Sequence, residues 1–346
     1  MESYIKRCFH LAQKGLGRVA PNPMVGCVIV FNDQIIGEGF HTQYGFPHAE
    51  VQAIQAVKDQ RLLENATLYV NLEPCAHQGK TPPCADLIIS KGIKKVVISN
   101  GDPNPLVNGK GIEKLRQAGV EVISQVLEEE GSELNRRFFT FHIKKRPFII
   151  LKWAQSADGF IDKIRESNDF GSFPITGNSA QWLNHQWRTE EAAILIGRKT
   201  AIVDNPMLTA RLIPGKNPMR VVIDKNLIIP ATHHLLSDQE PLIIFNALET
   251  KTVFNKQLIQ LDFNFPILTH VLSYLHYINI QSIIVEGGAF TLQQFIDTNL
   301  WDEARVFQSL NLIHDGLKAP KINSNLIQQQ LVGNDYLNTY RNSKTL

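Results

Sequence analysis

The chain has 346 residues, a formal net charge of +2 and a hydrophobic content of 43%. That length suits about two domains of roughly 100–200 residues each, and the balance is that of an ordinary globular protein. Lys and Arg are scattered, which argues against a nucleic-acid or anionic-membrane partner. The apolar runs, such as PFIILKWA, fall far short of the ~20 residues a membrane span needs.

The opening MESYIKRCFHLAQKG carries Glu2, Lys6, Arg7 and Lys14 and no apolar core followed by a cleavage site. A reducing cytoplasm is therefore expected, where paired cysteines more often bind metal or do chemistry than form disulfides. Residues 2–14 predict a helix with Ile5, Phe9 and Ala12 around Cys8. Cys8, and Cys27 in VGCVIVF, are read as small buried hydrophobes. VGCVIVF and QIIGEGF flank Asn32-Asp33, a hairpin pattern. HAEVQAIQAVKDQ predicts a helix, ATLYVNL a strand, CADLIISKG a helix capped at Gly92, KKVVISN a strand, GIEKLRQAG a helix closing on Gly119, and VEVISQV a strand. A mixed sheet with helices on both faces follows. Residues 128–147 predict one helix running into a basic stretch before Pro147, and the boundary is set there, giving domains 1–145 and 146–346.

The alternation then restarts. FIILKWAQS, AAILIG, MRVVID, PLIIFNA, SIIVEGG and EARVFQSL predict strands; NSAQWLNHQWRTE, THVLSYLHYIN and FTLQQFIDT predict helices. Strands this dense in Ile and Val are expected to be buried on both faces of a second α/β domain. The tail from about residue 321 is rich in Asn and Gln and gives no assignment.

His48-Ala49-Glu50 opens a predicted helix, Glu73-Pro74-Cys75 follows a predicted strand, and Cys84 starts the next helix. This is the H-x-E … P-C … C pattern of zinc deaminases, with a wider gap between the cysteines. One imidazole and two thiolates hold one zinc ion per chain and leave a position for water. Glu50 is placed to shuttle protons without binding the metal. Helix N-termini at Cys75 and Cys84 would favour thiolates. The alternative is a closed structural site with His77 as fourth ligand, but such a site needs no carboxylate placed like Glu50.

Four segments carry a resemblance: APNPMVG (20–26), HAEV (48–51), EPCAHQGKTPPC (73–84) and DPNPLVNGKG (102–111). They resemble the deaminase half of the bifunctional riboflavin-biosynthesis deaminase–reductase family. LKWAQSADG (151–159), TAIVDNPMLTAR (200–211) and VEGG (285–288) are similar to its reductase half. The resemblance implies a cytidine-deaminase-like mixed sheet followed by a dihydrofolate-reductase-like α/β domain. It also implies zinc-dependent loss of an exocyclic amine from a diaminopyrimidinone ribosyl phosphate, then NADPH-dependent reduction of the ribose to a ribityl chain. Asn22, His41, His77, Lys80, Asp102 and Asn104 would surround the first substrate, with Lys80 on its phosphate. Asn22, Asp102 and Asn104 could equally be turn residues. Ala154, Pro174, Thr200, Asp204, Lys225 and the run Gly288, Ala289, Phe290, Thr291, Leu292, Gln293, Gln294 would line the NADPH site. Ser172, Arg188, Leu208, Arg211 and Glu286 would contact the second substrate, Arg188 and Arg211 as cationic partners of its phosphate. Homo-oligomers joined through the reductase domains are implied as well.

Two departures stand out. Pro174, in Ser172-Phe173-Pro174-Ile175-Thr176, replaces the family's usual Trp, and Lys225 replaces a smaller polar residue. A deaminase whose C-terminal half binds ligand without reducing it is therefore the second reading. A zinc-stabilised nucleic-acid-binding protein is the third, opposed by the near-neutral charge. No G-x-G-x-x-G occurs, so an ordinary Rossmann site is not expected.

Overall fold

The computed structural model describes residues 1–76, 82–166 and 169–343. The chain divides into two units, Met1–Lys145 and Arg146–Leu346. The first runs α1 (Glu2–Gln13), β1 (Gly26–Phe31), β2 (Gln34–Phe40), α2 (Ala49–Ala56), a 3₁₀ turn (Gln60–Asn65), β3 (Thr67–Leu72), α3 (Cys84–Ser90), β4 (Lys95–Asn100), α4 (Lys110–Gln117), β5 (Glu121–Ile123), α5 (Glu128–Leu134) and α6 (Arg136–Lys144). Its five-stranded sheet has the order β2-β1-β3-β4-β5. β1 is antiparallel to β2 and β3, while β3, β4 and β5 run parallel.

Alternation along the strands builds two cores. Cys27, Ile29, Leu68, Val70, Val96 and Ile98 point to one face and pack with Ile54, Ile88 and Leu115 of the helices. Val28, Val30, Tyr69 and Val97 point to the other, where α1 lays down Ile5, Cys8, Phe9 and Leu11. The β1–β2 hairpin turns on Asn32 and Asp33, both left-handed at φ 48° and 58°. Asn and Asp tolerate that conformation, and its twist matches paired strands.

The single helix expected over 128–147 is two helices. Asn135 breaks it, leaving helical geometry at φ −99°, ψ 24°. Its side chain is the reason: Oδ1 accepts from Met24 N–H at 2.8 Å and Nδ2 donates to Met24 C=O at 2.9 Å. A buried amide matched at both ends outweighs one more helical turn.

The second unit runs β6 (Phe148–Gln155), β7 (Phe160–Lys163), α7 (Asn178–Glu190), β8 (Ala193–Gly197), α8 (Arg198–Asp204), β9 (Met219–Ile223), α9 (His234–Ser237), β10 (Leu242–Asn246), β11 (Lys251–Val253), β12 (Lys256–Gln260), α10 (Ile267–Tyr277), β13 (Ser282–Val285), α11 (Ala289–Asp297), β14 (Glu303–Gln308), β15 (Gly316–Lys318), β16 (Leu326–Val332) and β17 (Asp335–Arg341). The ten-stranded sheet has the order β11-β12-β10-β9-β8-β13-β6-β14-β17-β16. From β12 to β14 every pairing is parallel. Adjacent residues such as Ile283, Ile284 and Val285 are all buried, as strands covered on both faces require. The tail, unassigned from sequence, forms the antiparallel β16–β17 hairpin at one edge. Its strands hide because β16 is exposed and sets a Gln328-Gln329-Gln330 run between apolar ends, with no alternation to read. Among the described residues no helix is long and apolar enough to cross a membrane.

Candidate active sites

Three elements of the first unit converge on one point. His48 caps the N-terminus of α2, Cys75 follows β3, and Cys84 opens α3. One ligand atom from each lies within 4.8 Å of the others. His48 Nδ1 faces both sulfurs, 3.2 Å from Cys84 Sγ and 3.7 Å from Cys75 Sγ. Cys75 is in irregular chain, not at a helix N-terminus as expected. The helix still acts on its sulfur, because Cys84 N–H, at the head of α3, donates to Cys75 Sγ at 3.3 Å. Hydrogen bonding from Cys84 and His48 holds the Cys75 thiol down, to about 4. The Cys84 thiol is pushed up by Cys75 beside it and by burial. Two sulfurs this close could both ionise only with a cation between them, and a His-Cys-Cys donor set fits Zn²⁺.

Glu50 sits in the first turn of α2, 4% exposed. Burial raises its pKa, with His48 opposing. Beside the cluster, His41 and Asn22 form one unit. His41 Nδ1 donates to Pro47 C=O at 3.2 Å, so Nε2 accepts the Asn22 amide at 3.1 Å. Burial lowers the His41 pKa, keeping the ring neutral. The rings of His41 and His48 meet edge-on at 5.5 Å. Asp102 is buried, and burial pushes its carboxyl up to about 7. It also accepts the N–H of Asn104 at 2.8 Å, so its turn role is real. His77 and Lys80 lie outside the described residues.

The second unit holds a cavity of ≈ 1120 Å³ at the carboxyl ends of β6, β8, β9 and β13. Pockets for a single ligand run about 300–1,000 Å³, and this one is slightly larger. Ala154, Ser172, Pro174, Thr200, Asp204, Lys225, Glu286, Gly288, Ala289, Phe290, Thr291 and Gln294 line it, with Arg188 and Arg211. Three expected residues do not reach its wall. Leu292 packs in the core, Gln293 bonds Asp297 and the Lys321 N–H, and Leu208 packs under α8. A continuous helical run cannot turn every side chain to one side.

Close backbone approach shapes the cradle. Gly288 caps α11 and its N–H donates to Thr200 Oγ1 at 2.9 Å. A Cβ on Gly287 would come within 2.8 Å of Thr291 Cβ, and one on Gly197 within 2.4 Å of Thr291 Oγ1. The bare backbone left there suits a dinucleotide's phosphates. Pro174, where Trp is usual, is exposed at the rim beside Phe173, which Lys163 caps at 5.9 Å. Lys225 reaches over the Phe263 ring at 5.7 Å. Burial pushes the Asp204 carboxyl up to about 6, opposed by Arg165.

Residues alone would leave Arg188 an exposed helix residue; it is 8% exposed. Its guanidinium meets Glu286 at 2.8 Å and donates to Thr209 C=O at 3.1 Å. Burial works against the Glu286 charge, but Arg188 and Lys152 outweigh it and hold the carboxyl at about 2. Lys152 and His185 also line the cavity and went unread in the sequence. A charged residue inside the apolar strand FIILKWAQ was the available signal for Lys152; His185 gave none. Burial, then Arg188 and Arg211, hold His185 down to about 4, so its ring is neutral.

Comparison with known proteins agrees with this geometry. Residues 1–100 match the family described as cytidine and deoxycytidylate deaminase zinc-binding region, and residues 147–309 match the RibD C-terminal domain. The riboflavin biosynthesis protein RibD of Aquifex aeolicus is 39% identical, over 95% of this chain and 92% of its own length. RibD of Bacillus amyloliquefaciens is 40% identical, over 93% and 87%. A Thermotoga maritima crystal structure, described as a diaminohydroxyphosphoribosylaminopyrimidine deaminase/5-amino-6-(5-phosphoribosylamino)uracil reductase, superposes with a TM-score of 0.88 at 37% identity, covering 99% and 98% of the two chains. Acinetobacter baumannii RibD gives a TM-score of 0.88 at 31% identity, covering 98% of each. With a zinc-type donor set in one unit, a dinucleotide-sized cavity in the other and these relatives along its whole length, the chain belongs to the RibD family, the bifunctional deaminase–reductases of riboflavin biosynthesis.

Proposed function

We propose that residues 1–145 hydrolytically deaminate 2,5-diamino-6-ribosylamino-4(3H)-pyrimidinone 5′-phosphate, and that residues 146–346 then reduce the ribosyl group to ribityl with NADPH. The observation carrying the first half is the His48-Cys75-Cys84 cluster with buried Glu50 beside it. His48, Cys75 and Cys84 would hold zinc, which when bound supplies Lewis acidity that lowers the pKa of water. Glu50 takes a proton from water and returns it to the departing amine, a task favoured by a carboxyl whose pKa is raised by burial. Asn22, its amide oriented by His41, and Asp102 with Asn104 orient the pyrimidine.

In the second half, NADPH supplies hydride. Gly288, Thr200, Asp204, Ala154 and the first turn of α11 cradle it. Arg211 and Ser172 suit the sugar phosphate. Arg188 is committed to Glu286, so it acts on substrate through that ion pair, which fixes a charged carboxylate at the cavity. Leu326, Ile327 and Leu331, exposed on the edge strand β16, support a homo-oligomer joined through this unit, and Cys8 and Cys27, buried without a disulfide, fit a cytoplasmic setting.

Following NADPH oxidation by purified enzyme on adding the deaminated intermediate tests the pair of activities. Oxidation matched by ribityl product is expected. Amine release without NADPH oxidation would instead leave a deaminase with a non-reducing C-terminal half.

A further inference from the structure

Glu73 enters the sequence pattern only as the first letter of E-P-C. It is 4% exposed, two residues before Cys75. Its carboxylate accepts four backbone N–H groups. Oε2 takes Asp102 at 3.2 Å and Gly109 at 2.9 Å; Oε1 takes Gly111 at 2.8 Å and Ile112 at 3.2 Å. Glu73 N–H in turn donates to Asn100 C=O at 2.9 Å. The four donors are the two ends of one loop, so a single side chain closes it.

Inside the loop the bonds are local. Asp102 accepts Asn104 N–H at 2.8 Å, and Asn104 Oδ1 accepts Leu106 N–H at 3.1 Å. The glycines of DPNPLVNGKG now have physical reasons. Gly109 is left-handed at φ 82°, which costs glycine little. A Cβ on Gly111 would stand 1.9 Å from Pro74 C=O and 3.2 Å from Glu73 Oε1. The loop's far end is thus pressed onto the residue preceding Cys75.

We infer that Glu73 is a positioning residue of the deaminase: its carboxylate fixes Asp102 and Asn104 in register with Cys75. Only a carboxylate accepts at both oxygens. An amide in its place would turn an –NH₂ toward two N–H donors. This inference rests on the reading that Asp102 and Asn104 contact substrate.

The test uses the full chain carrying Glu73→Gln and, as the conservative change, Glu73→Asp. Zinc content, both sets of kinetic constants and amide exchange over 102–112 are measured. For Glu73→Gln, zinc content and reductase constants should hold and exchange at 109–112 should accelerate. Deaminase KM should rise about tenfold or more with kcat much less changed, the scale of losing charge-assisted hydrogen bonds. Glu73→Asp should recover part of the KM. Unaltered exchange at 109–112, or faster exchange with unchanged KM, overturns the inference. So does loss of zinc with equal loss of kcat, which would make Glu73 mere support for the metal. Asp102→Asn separates the two layers: an unchanged deaminase KM there removes the substrate-contact reading, while exchange in the Glu73 variants still reports on the clamp.

Discussion

Glu50 shows how one side chain is tuned by its place. It is charged chemistry in an apolar helix, and its burial costs more than a structural role would justify. Glu50→Gln keeps shape and volume but cannot carry a proton. Deaminase turnover should fall by about 10²–10⁴ with zinc content and NADPH oxidation intact, as metal analysis and the two assays would report. Full deaminase turnover would remove Glu50 from its role. Glu286 illustrates the opposite tuning. Its folded pKa is depressed from 4.5 to about 2, so its stabilising contribution is present above 4.5 and is lost as pH falls from there toward 2. The shift corresponds to roughly 3 kcal/mol. Denaturant unfolding from pH 5 to pH 3 should show wild type losing more stability than Glu286→Gln. The variant starts lower, because Arg188 stays buried without its partner. Equal slopes would contradict the ion pair.

Elements position these residues more than they contain them. His48 caps α2, Cys84 opens α3, and the chain leaving β3 brings Cys75 to them. The second cavity is built likewise from strand ends, where Gly197 ending β8 and Gly287 just past β13 let α11 approach. At the sheet edge the logic reverses. β16 exposes Leu326, Ile327 and Leu331, the last at 65%. An open apolar edge is a pairing surface. Leu331→Lys should convert the proposed homo-oligomer to monomer in sedimentation at micromolar chain, with the deaminase unaffected. An unchanged sedimentation coefficient would place the interface elsewhere.

Across the whole molecule, the two chemistries occupy different units and make different demands on a shared substrate skeleton. Arg211 lines the cavity of the second unit. Arg211→Ala should therefore raise reductase KM by about tenfold or more, the loss of one charged contact, and leave deaminase KM unchanged. Equal effects on both would mean that one site handles the sugar phosphate for both reactions.

Residue order alone was enough to single out the His48, Cys75 and Cys84 cluster, the Asn32-Asp33 hairpin and the strand–helix alternation of both halves. These depend on short-range spacing: a two-residue turn, a two-residue step from His48 to Glu50, a 3.6-residue helical repeat. Packing was needed to reveal the Arg188–Glu286 pair, 98 residues apart, and the break at Asn135, set by Met24 from 111 residues away. The same holds for the turning of Leu292 and Gln293 away from the cavity, and for the closure of the 102–112 loop on Glu73. A polar side chain's partner is chosen by packing, and spacing along the chain carries no record of it.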